Sequence, residues 1–232
     1  MITHYPFENL GGANHGWLKT RHHFSFAEYY NPARMGFGNL RVVNDDWVEP
    51  GTGFPPHPHR DMEIISFIRT GAITHQDSEG NQGVTKAGEV QVMSAGTGIV
   101  HSEYNLTDEP LVFYQIWIKT KQRNLLPRWE SKSFRCENSS GLDLLVSGNP
   151  KDKEALFINQ DAQIYGGKLL KGESIDHLIN NQAYILASDG EFEIEDDSTS
   201  VSMKKGDGAE VTKAKSIKLK ALVDSEIIVI DV

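Results

Sequence analysis

Glycine sets the rhythm of this chain. Twenty-one glycines in 232 residues, with proline, Asn and Asp beside many of them, put a turn signal roughly every 8–12 residues. Between the signals lie short apolar or alternating stretches: GNLRVVND, EIISFIRT, VQVMSAG, LVFYQIWIKT, LDLLVSG, QAYILAS, IKLKALV and EIIVIDV. They are rich in Val, Ile, Phe and Tyr, side chains that fit a pleated, half-buried surface. Short strands at regular spacing predict an all-β fold, a barrel or a sandwich. Helix signals are few. KDKEALFIN (151–159) and SFAEYYN (25–31) each suit one helical turn.

The chain reads as two similar halves. KTKQRNLLPRWESKSFRCENSSG, near 120–142, has polar runs, a proline and no sustained period, and strand patterning resumes at Leu142. This predicts an N-terminal barrel with its connection over 1–133 and a C-terminal barrel over 134–232. An internal echo supports the division. Gly71-Ala-Ile-Thr is followed by Lys86-Ala-Gly88-Glu89, and Gly190-Glu-Phe-Glu by Lys204-Lys-Gly206-Asp207. The glycines are 17 residues apart in one half (88 − 71) and 16 in the other (206 − 190), as a duplicated strand–hairpin–strand unit would leave them.

Charge and cysteine usage exclude some functions. The net charge of −9 argues against direct nucleic-acid binding, which needs a basic footprint, and against anionic membranes. No run approaches the roughly 18 apolar residues of a membrane helix. A single cysteine, Cys136, rules out an intrachain disulfide. With no secretion signal at MITHYPFENLGG, this predicts a soluble cytoplasmic protein. The sequons at Asn105 and Asn138 then carry no meaning. The acidic stretch DGEFEIEDD (189–197) reads as a solvated hairpin. GTGIVH at 96–101 lacks the third glycine and the βαβ setting of a dinucleotide loop. Neither a Ser-His-Asp elbow nor H-E-x-x-H is present.

The chemistry concentrates in Phe54-Pro-Pro-His57-Pro-His59 and Gly98-Ile-Val-His101-Ser-Glu103. Residues i and i+2 of a strand share a face, so each pair projects together. Two such strands in one barrel put three imidazoles and one carboxylate around a point. That donor set suits a divalent Fe, Mn, Ni, Cu or Zn ion. The lack of thiolates disfavours structural zinc. Pro56 and Pro58 cannot donate to a ladder, so the first pair belongs on an edge strand or a strand entry.

These residues resemble those of the pirins, a bicupin family. Gly51, His57, His59, Glu63 and Gly71 follow the first cupin motif with one extra residue before the last glycine. Gly88, Gly98, His101 and Asn105 follow the second, with two residues added and Gly96 at the proline position. HGWLKTRHHFSFAEYYNP, NDDWVEPGTGFPPHPHRDMEI, HQDSEGNQG and MSAGTGIVHSEYN are similar to pirin signatures, densely over 14–118. The resemblance implies two cupin barrels and one metal, Fe(II) first, on His57, His59, His101 and Glu103. Glu63, the usual cupin carboxylate ligand, is then left to support the ligands or line the pocket. Gln115 in FYQIW is a candidate for the same role. Counting from Gly190 and Gly206 by the first-half spacings lands on Asp176, Leu178 and Leu219, with His177 out of phase, so the second barrel is expected to be metal-free.

Bacterial pirin-like proteins resemble quercetin 2,3-dioxygenases. The resemblance therefore implies a metal-dependent enzyme that opens the central ring of a flavonol such as quercetin with O₂ and releases carbon monoxide. A phenolic small molecule and O₂ would be its partners, with Glu103 both ligand and acceptor of the 3-hydroxyl proton. Pirins of higher organisms imply the alternative, an iron-containing regulator that binds protein partners. A monomer is the default for two barrels. His75 reads as a turn residue, structural or exposed. His22, His23, Trp17, Phe24 and Phe26 read as core, with a lesser prospect of lining the pocket mouth.

Overall fold

The computed structural model describes residues 1–134 and 140–232. Cys136 and Asn138 lie outside the described residues. The chain divides into two compact units. The first comprises Gly11–Phe134 and Gly148–Asp161, the second Met1–Leu10, 140–147 and Ala162–Val232. Neither unit is continuous in sequence. The first ten residues belong with the C-terminal half, because Ile2–Tyr5 pairs with Gly208–Val211. Residues 148–161 belong with the N-terminal half.

In the first unit the wide sheet runs Arg128–Ser133, Glu89–Ser94, Met62–Thr70, Leu111–Lys119, Leu40–Val48, Leu18–His22, Gly11–Asn14. A smaller sheet runs Gly53–His59, Ile99–Tyr104, Ala72–Asp77, Gln82–Lys86. The expected connection thus contains a strand: Arg128–Ser133 pairs with Glu89–Ser94. Leu18, Val48, Ile68, Ile73, Leu111 and Phe113 form a core cluster drawn from both sheets. Each such side chain, fully buried, contributes roughly 1.5–3 kcal/mol. Gly53–His59 lies at a sheet edge, where Pro55, Pro56 and Pro58 forfeit no ladder bonds on the open side.

The second unit repeats the plan. Its smaller sheet runs Ser174–Leu178, Ser216–Ala221, Glu191–Glu195, Ser200–Lys204, the same order of first, fourth, second and third strands. The glycine echo is the visible trace. Gly71 (φ 73) turns Met62–Thr70 into Ala72–Asp77, and Gly190 (φ 77) turns Ala183–Asp189 into Glu191–Glu195. Left-handed backbone is open to glycine at little cost. The interior is filled by Ile185, Phe192, Ile194, Leu219, Ile227, Val229 and their neighbours. The spacing count is off by one here. Leu178 is exposed, while His177 is buried and sits edge-on to Tyr165. The acidic stretch is indeed a hairpin, with Phe192 and Ile194 buried beneath its charges.

Neither expected helical turn forms. Ser25 Oγ donates to the Asn31 carbonyl and accepts the Asn31 N–H. A serine bonding nearby backbone competes with a helix, and Phe26 and Tyr29 close a tight turn instead. In 151–159, Asn149 Oδ1 accepts the Lys151 N–H, and Leu156–Phe157 is extended. Among the described residues, helix is confined to a 3₁₀ turn at Phe7–Asn9, and no helix is long and apolar enough to cross a membrane.

Candidate metal centre and adjoining cavity

Register brings the two histidine-bearing strands together. His101 on Ile99–Tyr104 lies directly opposite His57 on Gly53–His59, and His59 lies opposite Ile99. Donor atoms of His57, His59 and His101 all fall within 4.8 Å of one another. Ring centroids are 4.4 Å apart for His57–His101, 4.8 Å for His57–His59 and 4.9 Å for His59–His101. His57 Nδ1–H donates to the Pro55 carbonyl at 2.7 Å, which fixes its tautomer and leaves Nε2 as a lone-pair donor. His59 packs edge-on against Trp117 at 4.9 Å. Both ring nitrogens of His101 are buried without a hydrogen-bond partner. Burial, then the neighbouring His57, His59 and His75, push its pKa down to about 2. Burial and His57 take His59 to about 4. These imidazoles are held neutral, the form that binds a cation.

Glu103 projects from the same strand across the interior to the wide sheet. Gln91 Nε2 donates to its Oε1 at 2.7 Å and Gln115 Nε2 to its Oε2 at 3.0 Å. Burial lifts its carboxyl to about 7 against the pull of the Gln115, Gln91 and Ser66 hydrogen bonds. A register shift between His101 and Glu103 interrupts the pairing with Gly53–His59. Glu103 groups with His101 and His75 in the second cluster of donor atoms within 4.8 Å, not with His57 and His59. His75, read from sequence as a turn residue, is therefore corrected. It is buried within Ala72–Asp77, opposite Glu103. Its Nε2 is 3.0 Å from Asp77 Oδ2, its ring stacks on Trp129, and its Nδ1 has no partner. The signal for it was Ile73, His75 and Asp77 alternating on one inward face.

An unpartnered buried imidazole beside a buried carboxylate is costly. A divalent ion would relieve both, and imidazole with carboxylate suits a first-row metal. The residues fit such an ion.

A cavity of about 560 Å³ opens on this cluster. Its walls include His57, His59, His101, Glu103 and Gln115, and aromatic and apolar groups at Phe26, Tyr29, Phe54 and Trp117. Gln115 thus faces the site, bridging Glu103 and Trp117 Nε1. His22 and Phe26 line the cavity; His23 and Phe24 are buried outside its walls. Glu63 is also outside them. A turn at Asp61 (φ 48) carries the chain to the wide sheet, so its parity with His57 and His59 is lost. Its carboxylate accepts instead from Ser94 Oγ at 2.6 Å and Asn159 Nδ2 at 3.3 Å. Sequence reasoning missed Asn44 and Asp46 in the cavity wall. Polar residues breaking the run VVNDDWV were the clue.

Comparison with known proteins decides the family. A profile described as Pirin matches residues 5–118, and one described as the quercetinase C-terminal cupin domain matches 144–232. A pirin-like protein of Caulobacter vibrioides is 47% identical over 100% of this chain and 99% of its own. The chain belongs to the pirin family. Another member, the quercetin 2,3-dioxygenase of Escherichia coli K12, is 43% identical over 95% of this chain and 94% of its own. The crystal structure of the bacterial pirin YhhW from Escherichia coli, in complex with nickel(II), superimposes with a TM-score of 0.93 at 41% identity. It covers 100% of this chain and 99% of that one. That superposition spans both barrels of this chain.

Proposed function

We propose that this pirin is a metal-dependent dioxygenase that opens the central ring of a flavonol such as quercetin with O₂ and releases carbon monoxide. The observation that carries the reading is the cluster of three imidazoles in the wall of an aromatic cavity, with a buried carboxylate beside it. Relatives named quercetin 2,3-dioxygenase support it.

His57, His59, His101 and Glu103 would hold the ion, Fe(II) first and Mn, Ni, Cu or Zn as further fits. Bound there, it would supply open positions for the 3-hydroxyl and 4-carbonyl oxygens and a path for electrons to O₂. The chain's own residues do the rest. Pro55 orients His57, and Gln91 and Gln115 hold the Glu103 carboxylate. Held by these two amides, the Glu103 carboxylate is placed at the cavity wall to accept the 3-hydroxyl proton. Phe26, Tyr29, Phe54 and Trp117 give flat apolar walls to a planar substrate and exclude water. The second barrel serves as structure.

The test is anaerobic reconstitution with Fe(II), Mn, Ni, Cu or Zn, followed by quercetin and O₂ with carbon monoxide detection. Metal-dependent carbon monoxide release, lost in Glu103→Gln, is expected. Quercetin loss that continues unchanged in metal-stripped protein, or no turnover with any metal, overturns the reading.

A further inference from the structure

The cavity has a second polar wall beside Gln115, formed by two adjacent cross-strand pairs. On Leu18–His22 and Leu40–Val48 the register pairs Leu18 with Val48, Thr20 with Asp46 and His22 with Asn44. Leu18 and Val48 join the apolar core. The next two rungs turn polar where the cavity begins, although Thr20, His22, Asn44 and Asp46 are 7%, 3%, 3% and 4% exposed. Burying four polar side chains on a core-facing wall is costly unless something bonds to them. Within the protein each rung is half satisfied. His22 Nδ1–H donates to Asn44 Oδ1 at 2.8 Å, and Thr20 hydrogen-bonds the Asp46 carboxyl. With Nδ1 so engaged, the His22 ring has its Nε2 lone pair left to offer. The Asp46 carboxyl has a second oxygen.

We propose that the His22–Asn44 and Thr20–Asp46 rungs form a hydroxyl-reading subsite. Its ligand is a planar polyhydroxylated aromatic, bound through hydroxyls other than that of its reacting hydroxy-ketone. This rests on the flavonol reading above and adds what selects among flavonols. The flanking rings suit a flat ligand, since His22 lies 6.2 Å from Tyr29 at 21° and 5.4 Å from Phe26. Sites built to hydrogen-bond a hydroxyl reject analogues lacking it far more strongly than apolar pockets discriminate by size.

The experiment compares quercetin with 3-hydroxyflavone, which keeps the reacting unit and lacks the other hydroxyls. Affinities are measured without oxygen on Fe(II)-loaded wild type, His22→Phe, Asp46→Val and Asp46→Asn. Wild type should bind quercetin at least about tenfold tighter. His22→Phe and Asp46→Val should bring the ratio near one while 3-hydroxyflavone affinity stays within about threefold. Asp46→Asn, which keeps an acceptor oxygen and adds an N–H donor, should restore most of the discrimination. A ratio unchanged in His22→Phe and Asp46→Val, or a parallel loss for both flavonols, overturns the subsite. Carbon monoxide release on admitting O₂ to the same samples separates the two claims. Turnover without discrimination sinks the subsite alone; discrimination without turnover sinks the dioxygenase alone; no binding of either flavonol sinks both.

Discussion

Removing the charge from Glu103 should change how the metal-free protein responds to pH. Burial raises this carboxyl from 4.5 to about 7 in the folded chain. The folded state therefore keeps a proton that the unfolded state gives up above pH 4.5. Glu103's contribution to stability is complete below that pH and is lost as pH rises through 7. At about 1.4 kcal/mol per pKa unit, the full swing is about 3 kcal/mol, most of it between pH 5 and 8.5. Glutamine does not titrate, so Glu103→Gln escapes this loss. About 2.5 kcal/mol of it falls between pH 5 and 8.5, so at roughly 2–4 °C per kcal/mol for a chain of this size the gap in Tm between variant and wild type should move by about 5–10 °C in the variant's favour over that range. All four tryptophans, Trp17, Trp47, Trp117 and Trp129, lie in the first unit. Thermal melts of chelated protein followed by tryptophan fluorescence therefore read that unit alone. Restoring Fe(II) should reverse the order, because metal bound by the native state stabilises wild type most. A gap that does not change with pH would refute the reasoning.

Three further outcomes follow from packing. A Cβ at Gly53 would sit 2.3 Å from the Glu103 carbonyl oxygen and 2.5 Å from Tyr104 Cα, so Gly53→Ala must shift the strand carrying Glu103. It should cost about 1–3 kcal/mol in urea unfolding and weaken Fe(II) binding about tenfold or more in a chelator competition. A Cβ at Gly83 would meet the Trp129 ring at 2.2 Å, and that ring stacks on His75 at 4.9 Å; Gly83→Ala should shift tryptophan emission. In the second unit, Ile185→Ala empties part of the buried cluster and should cost about 2–5 kcal/mol in thermal or urea unfolding, with the Fe(II) stoichiometry of folded protein unchanged.

Much of the fold was legible because β structure has a short period and glycine marks its turns. The spacing of Gly71 to Gly88 and Gly190 to Gly206 maps onto equivalent hairpins in both units. His101 and Glu103 alternate with Val100 and Ser102, and the structure buries the first two, as a simple pleat requires. Parity fails where the chain changes sheets. Glu63 follows the turn at Asp61 and points elsewhere, and a register shift separates Glu103 from His57 and His59. Strand neighbours are set by contacts distant in sequence, so Asp46 beside Thr20 and Glu103 beside His75 could not be read from spacing. The same holds for Ile2–Tyr5, whose partner Gly208–Val211 lies at the far end of the chain.

The most direct test of the central claim is an anaerobic Fe(II) titration of wild type, His101→Ala, Glu103→Gln and His75→Ala. One ion per wild-type chain, lost in His101→Ala, weakened in Glu103→Gln and retained in His75→Ala, is the result predicted for a centre on His57, His59, His101 and Glu103. No bound ion in wild type, or undiminished binding in His101→Ala, would contradict it.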